Sequence, residues 1–237
     1  MLKRTASTVI LIIIYMIRKR EQHLAGFTLV ELLVVIGIIL IASSVILINT
    51  TGGSGSALSA SQRIVSGIAQ GARGQAILKG ATTRLIIYSD NNDTDDDKKL
   101  RFFGIVYQDE NDSSLWSAAT QGTYLPEGIY FDPDMSLNNG FPKLISRMNL
   151  EYPRLTPQPL GGEEYYFYEF ESNGTAAFDW QNAWLVLRAG ALKPSPNGSN
   201  NLKVNFEDEQ LEGLKSALIL RRSGTTTKVN DPELITN

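Results

Sequence analysis

Cysteine is absent from this 237-residue chain, and histidine occurs once, as His23. The first absence excludes a disulfide framework, a thiolate zinc site and a cysteine nucleophile. The second rests all imidazole chemistry on one side chain near the N-terminus. Charge is sparse as well: charged residues make up 20% of the chain, the formal net charge is -3 and the pI is about 5.3. That balance argues against a broadly basic nucleic-acid binder and leaves room only for a local basic patch. With 43% hydrophobic residues, 20 glycines and 9 prolines, the composition excludes a disordered tail, a collagen-like fibre and a polytopic membrane protein. The length suits one domain of ordinary size plus an appendage.

What is present is a single long apolar run. From Phe27 to Ile48 the chain reads FTLVELLVVIGIILIASSVILI, 22 residues with Glu31 as the sole charge. A helix of that length would span roughly 33 Å, against a hydrocarbon core of about 30 Å. Arg18, Lys19 and Arg20 stand upstream and little positive charge follows Ile48. The positive-inside bias therefore predicts a cytoplasmic N-terminus and an exported remainder. An ionised carboxylate within the run costs on the order of 2 to 3 kcal/mol deep in a bilayer, so Glu31 implies a partner charge. The order of segments also differs from a secretory signal, whose apolar region precedes its cleavage site. Here charged residues lead to a small residue, Gly26, and the apolar run comes after it.

The charged leader followed by Gly26, Phe27, Thr28, Leu29, Val30, Glu31 and Leu32 resembles the prepilin processing motif of type IV pilins and type II secretion pseudopilins. The resemblance implies that a prepilin peptidase cuts between Gly26 and Phe27 and that the new amine of Phe27 is methylated. Glu31 would then be the fifth residue of the mature chain, paired with the N-terminal amine of a neighbouring subunit. The electrostatics agree, because a carboxylate without its ammonium would be an unmatched charge in a low dielectric. A plain signal anchor whose Glu31 reaches the headgroups is the other reading of the same run.

The 26-residue leader is long for this resemblance and holds its own apolar stretch, Val9 to Ile17, too short to span. A start at Met16 would leave MIRKREQHLAG, a short charged leader. Either start predicts the same scissile bond. Cleavage removes five of the 22 basic side chains and one of the 25 acidic ones, leaving 17 against 24 and a formal charge of -7. It also removes His23, so no Ser/His/Asp triad can form in the mature chain.

Beyond the run, Thr50 to Ser56 reads TTGGSGS, which predicts a hinge or melted turn. Leu58, Ser61, Ile64, Val65, Ile68, Ala69, Ala72, Ala76 and Ile77 then recur at steps of three and four, predicting an amphipathic helix to about Leu78 with Gly80 as its stop. From Thr82 the period becomes two. Strands are expected at Arg84–Ser89, Leu100–Gln108, Gly128–Phe131, Glu164–Glu171, Ala183–Ala189, Leu202–Phe206 and Ser216–Arg222. Residues 132 to 141 and 190 to 201 are expected as surface loops. The helix segment RIVSGIAQGARGQAILKG, the strand TTRLIIYS, the succession Trp116, Leu125, Pro126, Glu127, Gly128, Ile129 and the terminal LILRRSGTTTKV hairpin resemble the GspH/FimT minor pseudopilin branch. The expected fold is α+β and pilin-like, a long N-terminal helix with transmembrane and amphipathic halves packed on a mainly antiparallel β-sheet domain. Its expected parts are a leader at 1–26, a transmembrane and assembly segment at 27–50, a hinge and amphipathic helix at 51–81, and a β-rich domain at 82–237.

Three further patterns invite chemistry. Asp93, Asp95 and Asp97 match the first alternating ligands of a calcium loop, but Lys98 stands at the glycine position and Gly104 at the terminal glutamate position. A solvated hairpin loop is the simpler reading. Arg221, Arg222 and Lys228 flank Ser223 and Gly224, and the FimT-type resemblance offers them as a DNA contact. The alternative is an edge hairpin whose charges guard against strand addition. The run Tyr165, Tyr166, Phe167, Tyr168 reads as two faces of a core strand. No paired-acid constellation stands apart from surface charge.

The resemblance therefore implies a non-enzymatic, cofactor-free minor pseudopilin or pilin subunit that assembles into a type II secretion pseudopilus or type IV pilus. A DNA-binding minor pilin for DNA uptake is the alternative, although nucleic acid is not the expected partner of so acidic a chain. The partners implied are the prepilin peptidase, other pilin or pseudopilin subunits, the inner-membrane assembly platform and membrane lipid. The implied location is the bacterial inner membrane, single-pass, with the C-terminal domain in the periplasm and later in a filament.

Overall fold

A computed structural model of the chain describes residues 29–90, 95–138, 146–177, 182–194, 202–207, 211 and 213–235, with side chains inside the first helix described at 29–36, at 38 and from 55 onward. Gly26, Phe27 and Asp93 lie outside the described residues. The chain divides into two compact units, Met1–Asn49 and Thr50–Asn237.

Helix α1 runs over Leu29–Lys79. Glu31 in its first turn and Lys79 in its last carry the charges that the two ends of a helix dipole favour. It stops at Gly80, whose φ of 61° is the left-handed conformation that ends helices at low cost in glycine. Thr50–Ser56, expected as a hinge, is helical. Within the second unit the predicted stripe faces inward: Val65, Ala69, Ala72 and Ala76 are fully buried, with Leu58 beside them. Four of these side chains are small or β-branched, so the helix axis can lie close to the strands it covers. Ile77, included in the predicted stripe, is 53% exposed.

Two antiparallel sheets and a ribbon follow. The six-stranded sheet has the order β3 (Trp116–Ala118), β2 (Phe102–Gln108), β1 (Thr83–Tyr88), β7 (Glu163–Phe170), β6 (Arg147–Leu150), with β4 (Thr123–Tyr124) also on β2. The four-stranded sheet has the order β12 (Thr226–Val229), β11 (Lys215–Arg221), β8 (Asn182–Ala189), β5 (Ile129–Asp132). Strands β9 (Ala191–Pro194) and β10 (Leu202–Asn205) form a separate ribbon. A short helix, α2 (Pro133–Asn138), and a 3-10 turn at Pro232–Leu234 complete the elements.

The period of two decides which side chain meets which layer. On β1, Leu85 and Ile87 join the cluster that includes Val65, Ala69 and Ala72 of α1, whereas Ile86 and Tyr88 join Trp116, Leu150 and Tyr152 on the opposite face. A central strand buried on both faces reads as a continuous apolar run for this reason. Tyr166 and Tyr168 likewise belong to the first cluster and Tyr165 to the second, so the aromatic run serves two faces of one strand. Leu100 ties the two sheets together. Its N–H donates to Tyr88 O at 3.0 Å and its carbonyl accepts from Phe131 N at 2.8 Å, and it holds a φ of 53° to do so.

These findings correct the expected α+β, pilin-like architecture. Among the described residues the elements beyond α1 and the short α2 are antiparallel strands and one 3-10 turn, so the domain is mostly β-sheet with few helices. Among the described residues no helix is long and apolar enough to cross a membrane. The part of α1 buried against the strands lies in the second unit, beyond the apolar run. The β content exceeds the expectation because β3, β4, β6 and β9 are only two to four residues long, too few to display a period of two. Pairing with a neighbouring strand holds each of them, and local composition does not show it.

Candidate functional site

The N-terminal motif is described from Leu29 on. In the first turns of α1, Glu31 is exposed among exposed apolar side chains: Leu29, Val30, Leu32, Leu33, Val34, Val35, Ile36 and Ile38 are 43% to 79% accessible. Eight positions within ten residues cover every side of a helix with 3.6 residues per turn. A helical stretch apolar all round needs a partner surface on all sides, lipid or protein. Glu31 is the only charged side chain between residues 29 and 38. The geometry thus sets one exposed carboxylate among exposed apolar side chains, the arrangement that a covering partner surface would desolvate.

The three cations near the C-terminus do not converge on one face. Leu218 faces Lys228 across the β11/β12 pair, and Ile219 faces Thr227. Leu218 belongs to the cluster under α1, so Lys228 points to the α1 side of the sheet. Arg221 points to the other side, where its Nε donates to Thr227 Oγ1 at 3.2 Å and its Nη1 to Asn182 Oδ1 at 3.2 Å. Arg222 is exposed in the turn that follows. A row of phosphates would meet these charges on opposite faces rather than along one stripe. Lys228 does stand on an edge strand, β12.

In the acidic loop, Asp95 lies 3.3 Å from Lys98 and Asp96 3.6 Å from Lys99. Those lysines are engaged elsewhere too: Lys98 reaches Glu163 at 3.2 Å, and the buried Lys99 donates to Leu202 O at 2.9 Å. The two lysines thereby tie the loop to β7 and to the β9/β10 ribbon, with Asp95 and Asp96 paired to them. Among the described residues no group of three or more acidic or imidazole side chains is placed to hold a metal ion.

One constellation escaped the sequence. Arg188 on β8 and Asp132 at the end of β5 form an ion pair at 3.0 Å, with side chains 13% and 3% exposed. They line a 650 Å³ cleft with Lys193, Lys203 and Phe206. Asp132 is committed on both oxygens: Oδ1 accepts from Met135 N at 2.9 Å, capping α2, and Oδ2 accepts from Arg188. Arg188 Nη2 donates to Phe206 O at 3.1 Å, and its guanidinium carbon lies 5.0 Å from the centre of the Phe206 ring. A carboxylate so engaged locks a corner of the sheet and is badly placed to move protons. The signal available was the order Asp132, Pro133, Asp134, an N-cap followed by proline at the first helical position, inside a segment expected as loop.

No family model, no curated protein and no solved structure matches the chain.

Proposed function

We propose that this protein is a minor pseudopilin or pilin subunit, cut between Gly26 and Phe27, methylated on Phe27 and assembled into a type II secretion pseudopilus or type IV pilus. One observation carries the reading: the contiguous motif from Gly26 to Leu32, with Glu31 as the sole charge of a 22-residue apolar run. The exposure of that run's side chains around Glu31 supports it, because an exposed apolar stretch holding one carboxylate suits insertion first into lipid and then among like subunits. The apolar run Phe27–Ile48 anchors the chain in the bacterial inner membrane, with the domain from Thr50 exported. Its work is assembly rather than catalysis. The partners are the peptidase, sister subunits and the assembly platform.

Intact mass and N-terminal sequencing of the protein, taken from membranes of cells with and without a prepilin peptidase, test the proposal. A mature chain beginning at methylated Phe27 only when the peptidase is present is the expected result. A chain that keeps its leader in both strains, or that is cut elsewhere, overturns it.

A further inference from the structure

The two larger sheets have four outer edges, and on three of them other described residues of the chain take outward backbone groups. Beside β3, Trp116 and Gln158 exchange backbone bonds at 2.8 and 3.0 Å, and Ala118 N donates to Arg154 O at 2.7 Å. Beside β6, Gly161 N donates to Asn149 O at 2.8 Å. On β5, Phe131 N is taken by Leu100 O. The fourth edge, β12, differs. Arg221 N donates to Thr225 O across the hairpin at 2.8 Å, and bonded pairs alternate with non-bonded ones along an antiparallel ladder. Ile219/Thr227 and Ala217/Val229 are therefore the bonded pairs. The N–H and C=O of Thr226 and Lys228 then point outward, and no described residue takes them.

The ground beside this edge is built by α1. Gln62 Nε2 donates to Ala217 O and Val229 O at 3.0 and 3.2 Å, and Ser66 and Gln70 reach Thr226 Oγ1 at 3.0 and 3.3 Å. The helix thus runs under the strand from Val229 to Thr226. On its adjoining exposed side stand Arg63, Gly67 and Gly74, and a Cβ added at either glycine would meet nothing within 4 Å. The domain itself does not require those glycines, each of which costs a helix interior about 1 kcal/mol relative to alanine.

Charge selects among occupants. No acidic side chain occurs from Lys215 to Asn230, and Arg63, Arg222 and Lys228 form no ion pair among the described residues. Symmetric pairing of two β12 edges would set lysine near lysine, a like-charge contact that disfavours a second copy.

We propose that the β12 edge receives an extended, acidic segment of a partner protein, which adds as a fifth strand over the glycine side of α1. Main-chain bonds to Thr226 and Lys228 supply the docking, and Arg63, Arg222 and Lys228 supply the preference for carboxylates. The inference does not depend on the processing of the N-terminus.

The test is amide hydrogen exchange on the full chain in detergent micelles, with an acetylated peptide of alternating valine and glutamate as probe. Its valine–lysine counterpart and a short DNA duplex serve as comparisons. The acidic peptide is expected to slow exchange at Thr226 and Lys228 by about tenfold or more, and the lysine peptide to leave it unchanged. Lys228→Gln should weaken the effect and its salt dependence, while Lys228→Pro, which removes an outward N–H without touching the β11/β12 ladder, should abolish it. Gly67→Trp gives the same loss through an open position, so the test stands even where the proline variant does not fold. No protection by the acidic peptide, or equal protection by both peptides, overturns the proposal. So does protection by DNA that the glutamine and proline variants lose equally, which would mark a phosphate contact.

Discussion

Arg188 and Asp132 meet at 3.0 Å in the wall of a cleft, each more than four-fifths buried, and the pair joins the edge strand β5 to its neighbour β8. Asp132 caps α2 with its other oxygen, so one side chain ends a strand, starts a helix and balances a buried guanidinium. Removing it leaves Arg188 charged with one partner fewer. We expect Asp132→Ala to destabilise the domain by about 3 to 5 kcal/mol, read from urea melts. Asp132→Asn, which keeps an oxygen for the cap, should lose less.

Alkaline pH should unfold the domain. Burial raises the phenols of Tyr130, Tyr152, Tyr165, Tyr166 and Tyr168 above their ordinary value, and for Tyr165 the neighbouring Glu163 carboxylate adds to it. Above about pH 10 the unfolded chain releases these protons while the folded one keeps them. The folded state then binds more protons, so stability is complete below pH 10 and falls as pH rises beyond it. Thermal melts between pH 8 and 11.5 should show this fall, and Tyr168→Phe should make it shallower. A flat profile would contradict the burial argument.

Two kinds of glycine should respond oppositely to alanine. Gly67→Ala and Gly74→Ala fall on an exposed helix face with open space and should each stabilise by about 0.5 to 1 kcal/mol. Gly224 has a φ of 75°, and its added Cβ would run into Gly174 O and the Arg73 side chain. Gly224→Ala should destabilise by more than about 1 kcal/mol. Calorimetry on the three variants decides both signs.

Replacement of Glu31 should separate processing from assembly. On the proposed reading, in which Gly26 and Phe27 flank the scissile bond, Glu31→Leu is expected to be cut normally yet to fail to enter filaments alongside wild-type subunits. Shearing and mass measurement of the filament fraction read the outcome. A variant that assembles as well as the wild type would remove the pairing role of Glu31.

The sequence by itself determined the features that depend on neighbours along the chain. The Gly26–Leu32 motif, the apolar run, the helix stop at Gly80 and the seven principal strands with their alternating faces all rest on local order, and the strands observed begin and end within two residues of those expected. The α+β architecture did not follow from these parts, because four more strands, each two to four residues long, form where pairing fixes backbone that local composition leaves undecided. Tertiary structure alone put Lys228 and Arg221 on opposite faces, joined Arg188 to Asp132 across 56 residues, and bent Leu100 into a left-handed conformation to link two sheets. It alone left the outward groups of Thr226 and Lys228 on β12 without a partner among the described residues. Each of these is a matter of which strand lies beside which, and period-two order records a residue's face without recording its neighbour.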